Sequence, residues 1–167
     1  MASIRKEIST RAGLDDVWAA LSDIGALHTR LVPGFVVDTR LEPDARIVTF
    51  GNGKVVRERI VTIDQNERLV VWSATGGPLT HHNASAQAVA DERGGTKVIW
   101  IADVLPDEAA ATIAPMMEQG AAVMKQTLDR LAEQRHHDND DADRHHDRQR
   151  APRATAGDYS TARRSTR

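Results

Sequence analysis

Glu58 and the adjacent imidazoles of His81 and His82 are the side chains of this sequence best suited to moving protons. In the run VVRERIVTI, Glu58 is a buried carboxyl if Val56 and Ile60 face the core. The opposite phase buries Val55, Val61 and Ile63 and leaves Glu58 to pair with Arg57 or Arg59 at the surface. Burial raises a carboxyl's affinity for its proton and so suits it to acid–base work. His81 and His82 lie in THHNAS; on a strand they point to opposite faces, so they do not chelate one metal together and only one can reach an interior. His28, further upstream, is placed near a cavity mouth. Glu58 and His82 are thus the two catalytic candidates, with no metal site and no cofactor expected.

Asn83, Ser85 and Gln87 alternate along the same segment and could orient a polar ligand group if they share an inward face. Buried there, each needs a partner from protein, water or ligand; facing solvent, none needs one. Enzyme signatures are otherwise missing: there is no nucleophile elbow, dinucleotide fingerprint or HExxH, and GNGKVV reads as a hairpin turn rather than a phosphate loop. The absence of cysteine excludes thiol catalysis, disulfides and Cys-ligated metal centres.

The elements that must position these groups end near residue 134. From Arg135 the chain reads RHHDNDDADRHHDRQRAPRATAGDYSTARRSTR, without one Leu, Ile, Val, Phe, Trp or Met. It has nothing to bury against the entropy of ordering, so 135–167 is expected to be a disordered polar tail and 1–134 the folded domain. Its two His-His pairs lie among aspartates, but nothing fixes a coordination geometry, and no functional metal site is assigned to them. Residues 1–134 hold 14 Lys/Arg against 18 Asp/Glu, too even a balance to point to nucleic acid. No apolar run reaches the length of a membrane span, and MASIRKEIST lacks a signal-peptide core, so a cytoplasmic protein is expected.

Within the folded part, residues 3–10 suit a first strand. Leu14, Val17, Trp18 and Leu21 mark one face of a short helix over 14–22. Asp23 is expected to cap a second short helix, 24–31, which Pro33-Gly34 ends. Strands follow over 35–41, 47–50, 54–63, 68–75, 80–90 and 96–104, joined by short turns such as Gly51-Asn52-Gly53. Short connections imply an antiparallel meander. Ile113, Met116, Met117, Gly120, Val123, Met124, Leu128 and Leu131 then recur at helical spacing, giving one long helix over 107–134 with a kink or break expected at Pro115. The fold class is α+β: a curved seven-stranded antiparallel sheet around a long C-terminal helix, with two short helices after the first strand.

This order, with DDVWAALSDIGALHTRLVPG, ERIVTIDQNERLVVWSA and GGTKVIWIADVLPDE at its landmarks, resembles the START-like (SRPBCC) superfamily. That is the polyketide cyclase/dehydrase and lipid-transport group, with the helix-grip fold of the birch-pollen allergen. The resemblance covers residues 3–134 and implies a cavity between sheet and helix for a hydrophobic small molecule: a lipid, a quinone or a polyketide. It does not choose between a carrier or sensor, a cyclase/dehydratase using the same cavity, and a regulatory module that contacts a protein through the tail.

Hairpin pairing predicts the lining. If the turn Gly76–Leu79 pairs Thr75 with Thr80 and the loop Glu92–Gly95 pairs Asp91 with Thr96, one face carries Trp72, Asn83, Ser85, Gln87 and Trp100. A slip of one residue inverts that assignment. With Met117 and Met124 from the helix, whose thioethers adapt to varied shapes, these residues form the expected ligand site.

Overall fold

The computed structural model of the chain describes residues 1–150. Strand β1 (Ala2–Thr10) leads into helix α1 (Leu14–Ser22) and a π-helical turn (Leu27–Leu31). Six strands follow: β2 (Val36–Leu41), β3 (Ala45–Phe50), β4 (Val55–Asp64), β5 (Leu69–Ala74), β6 (His81–Ala90) and β7 (Thr96–Leu105). A 3-10 turn (Asp107–Ala109) then opens helix α2 (Ala110–Arg150). The strands form one antiparallel sheet in the order β1-β7-β6-β5-β4-β3-β2, so the meander closes with β1 laid on the last strand. This is the expected helix-grip architecture.

The core lies between the inner face of that sheet, α1 and the first part of α2. Val17 and Leu21 from α1, Val48, Val70 and Val98 from the sheet, and Met117, Met124 and Leu128 from α2 are all withdrawn from solvent. Burying side chains of this size contributes about 1.5–3 kcal/mol each. Polar ties fix α2 against β1: Asp129 accepts from the Thr10 hydroxyl at 2.8 Å, and Lys125 donates to the Ser9 carbonyl at 2.7 Å. No helix among the described residues is long and apolar enough to cross a membrane.

Three local expectations are corrected. The second short helix is only the π-helical turn, and Asp23 does not cap it; Asp23 ends α1 and pairs with Arg30 at 2.9 Å. α2 runs through Pro115 without the break that was one of the outcomes expected there, although the proline takes one backbone donor out of the helix. The polar stretch from Arg135 is helical as far as Arg150, continuing α2 although none of its residues is apolar enough to anchor it. Residues 136–137 are exposed on that helix, and the rest of the expected tail, 151–167, lies outside the described residues.

Candidate functional site

Three small residues set the floor of the site. Ala84, Ala86 and Ala88 of β6 face inward and are 2–3% exposed, leaving space beneath α2 that larger side chains would fill. Gly120 lets α2 come close on the other side: a Cβ there would stand 3.0 Å from both Phe35 Cε1 and Trp100 Cζ3. Between them is a cavity of about 90 Å3, walled by Val70, Trp72, Trp100, Met117 and Met124, with Glu58 and His82 on its border.

Trp72, Trp100, Met117 and Met124 line one cavity, and Glu58 and His82 stand on its border, although the expected register put His82 on the opposite face from the tryptophans. Asn83, Ser85 and Gln87 do not join them. Both hairpins of β6 are shifted by one residue from the expected register: Trp72 faces Ala84 rather than Asn83, and Trp100 faces Ala86 rather than Gln87. At the β5–β6 turn, Gly76 bridges Leu79 as anticipated, yet four steps separate Gly76 from Trp72 and five separate Leu79 from Ala84. One extra residue on the β6 side flips that strand. At the β6–β7 turn the loop is three residues, closed by Asp91 N–H to the Gly95 carbonyl at 3.2 Å, with Gly94 and Gly95 at positive φ of 94° and 78°. The two slips act on the shared strand, so β5 and β7 keep their phase and both tryptophans still face inward. Asn83, Ser85 and Gln87 sit half-buried on the outer face, where Gln87 donates to the Glu67 carbonyl at 2.9 Å.

A polar row crosses one end of the apolar cavity. Arg46 on β3 stands directly opposite Glu58 on β4, and Glu58 opposite Ala74 on β5. His82 on β6 completes the row: its Nδ1 accepts the Ala74 backbone N–H at 3.2 Å, taking a donor that the irregular hairpin leaves out of the ladder. Arg46 Nε donates to Glu58 Oε2 at 2.7 Å, and its Cζ lies 5.2 Å from the centre of the Trp72 ring. Glu58 is thus buried as one reading of the sequence had it, but neither Arg57 nor Arg59 is its partner. Arg57 is held by Glu42 and Asp44 outside, and Arg46 is the functional-site residue that sequence reasoning missed.

Burial pushes the His82 imidazole below its ordinary pKa, against the pull of the nearby Glu58 charge and with His81 adding to the depression. With Nδ1 accepting, the neutral ring carries its proton on Nε2. Neither His82 Nε2 nor Glu58 Oε1 has a hydrogen-bond partner among the described residues. Trp100 Nε1 is buried and unpartnered. His81 is exposed, and His28 lies on the π-helical turn outside the cavity wall, with its own Nδ1 buried and unpartnered. No cluster of metal-ligating side chains occurs among the described residues.

Outside the cavity runs a groove of about 490 Å3, and Phe35, Phe50 and Met116 belong to both walls. The two phenylalanines meet edge to face at 5.5 Å, forming the partition between cavity and groove.

Residues 1–134 match the profile of a family described as polyketide cyclase/dehydrase and lipid transport. No curated protein matches the chain. Among solved structures, XoxI from Bacillus cereus is similar at 17% identity and TM-score 0.68, over 77% of this chain and 96% of that one. Norcoclaurine synthase from Thalictrum flavum is similar at 22% identity and TM-score 0.59, over 78% and 85%. A START superfamily protein from Mycobacterium smegmatis is similar at 13% identity and TM-score 0.61, over 79% and 97%. At these identities the likeness is one of fold.

Proposed function

This chain belongs to the polyketide cyclase/dehydrase and lipid-transport family, and from that premise we propose that it binds a small apolar molecule between the sheet and α2, as a carrier or sensor. The observation that carries this reading is the cavity itself: tryptophan and methionine walls, a floor of alanines, and only Arg46, Glu58 and His82 as ionisable side chains in the lining. At about 90 Å3 it is smaller than the apolar cavity of about 150 Å3 that holds a benzene ring. A long acyl chain has no room in this state. A single ring enters if Met116 and Met117 shift and the Phe35–Phe50 partition opens toward the groove, which favours ring-sized ligands over lipids.

Native mass spectrometry of protein purified from its own host tests the reading. A retained small apolar molecule, lost on denaturation, is the expected result. Protein that is ligand-free and that also takes up no apolar probe would refute it.

A second reading, catalysis of the cyclase/dehydratase kind, is favoured by Glu58 and His82 standing at the cavity's polar end. A Glu58→Gln protein that keeps ligand binding but loses turnover would support it; unchanged turnover would exclude Glu58 from the chemistry.

A further inference from the structure

We propose that the polar end of the cavity is a subsite for one uncharged ring hydroxyl, a phenol or enol, held between Glu58 and His82. This rests on the cavity being the ligand site and adds which chemical class it selects.

Glu58 and His82 flank Ala74 in one register row, two strand spacings apart, and both line the cavity. A carboxylate on one side only accepts hydrogen bonds. Its Oε2 is taken by Arg46, and Oε1 is unpartnered. On the other side, the imidazole has spent its acceptor nitrogen on the Ala74 N–H, so what remains is the Nε2–H donor. This end of the lining therefore offers one acceptor and one donor. A hydroxyl matches both, donating to Glu58 and accepting from His82. An ether or a ketone can use only the donor, and a hydrocarbon neither. A ligand carboxylate would sit against Glu58 and be repelled. The Arg46–Glu58 pair neutralises itself, so the subsite has no net charge with which to draw an ion.

The test uses the full chain and four probes: toluene, phenol, anisole and benzoate. In a purely apolar cavity toluene outranks phenol, because the phenol hydroxyl must leave water. The subsite reverses that order: phenol is expected to bind about tenfold more tightly than toluene, a hydrogen bond to a charged acceptor being worth that factor. Anisole should fall to toluene's level or below, and benzoate should not compete. His82→Phe, which replaces the donor with an apolar ring, should put phenol behind toluene. Should that variant not fold, the phenol–anisole contrast in the native chain and the movement of the His82 Nε2 proton resonance on adding phenol but not toluene still decide it. Toluene binding as well as or better than phenol, with both perturbing Trp72 and Trp100, overturns the subsite and leaves the cavity reading standing. Failure of all four probes overturns both.

Discussion

Arg46 and Glu58 face each other across β3 and β4 and form an ion pair at 2.7 Å with side-chain exposures of only 4% and 11%. Two charges removed from water cost more than their mutual attraction returns unless further contacts help. Here the Trp72 face stacks near the guanidinium, and the Ile24 carbonyl lies 3.5 Å from Nη1. A pair of apolar residues would fill the same place more cheaply, so the pair's position beside the cavity points to a role in what the cavity holds.

Removing one partner should be far worse than removing both. Arg46→Leu or Glu58→Leu alone leaves a buried unpaired charge and should lower unfolding free energy by about 3–5 kcal/mol. The double variant should recover most of that loss. Urea denaturation of the two single variants and the double variant measures the difference; a double variant as unstable as the sum of the singles would contradict this.

Stability should fall with acid in a window set by His82. Its folded pKa lies below the unfolded value of 6.5, so the unfolded chain binds the extra proton. The contribution is complete above that value and is lost as pH falls through 6.5 toward the depressed folded pKa. Glu58 and His81, the charged and titratable neighbours of the ring, act in opposite directions on it. Denaturation midpoints from pH 8 to pH 5 should decline for the native chain and decline less for His82→Phe; parallel curves would remove His82 from the effect.

Gly120→Ala should weaken ligand binding without weakening the fold. Alanine gains about 1 kcal/mol of helix propensity, while its Cβ would press on Trp100 and Phe35 at 3.0 Å. Both rings border the cavity and can yield into it, so space is lost rather than structure. A melting temperature within a few degrees of the parent, with toluene affinity reduced severalfold, is expected. Unchanged affinity would show that the rings move elsewhere.

We propose that residues 1–134 form an independently stable domain. Among the described residues every buried apolar one precedes Arg135, and the Arg11–Glu133 and Thr10–Asp129 ties lie inside that boundary. Truncation after Gln134 should change unfolding free energy by less than about 1 kcal/mol, in the range of surface changes. A loss of several kcal/mol would place structural contacts in the removed segment.

Periodicity and turn chemistry were enough to read the strands, α1 and α2, because each buries one face and so leaves a pattern of period 2 or 3.6. On β6 the side-chain phase was legible in the alternation itself, with Ala84, Ala86 and Ala88 on one face and Asn83, Ser85 and Gln87 on the other, but pairing counted from the assumed turns contradicted it. The extra residue in the β5–β6 hairpin and the three-residue loop ending at Gly94-Gly95 set the register that this alternation obeys. Arg46 was legible in principle. Counting back from the Gly51-Asn52-Gly53 turn, where Phe50 N–H donates to the Lys54 carbonyl at 2.8 Å, places Arg46 opposite Glu58. The helical run beyond Arg135 could not be read from burial, because it buries none of its side chains that are described.

The central claim, that the space between sheet and α2 admits a small apolar molecule, is tested most directly by titrating the labelled protein with toluene and following its methyl and indole resonances. Saturable shifts centred on Met117, Met124, Trp72 and Trp100 are predicted, with the outer-face side chains of Asn83 and Ser85 unmoved. No shift up to the solubility limit of toluene, or shifts confined to the protein surface, would contradict it.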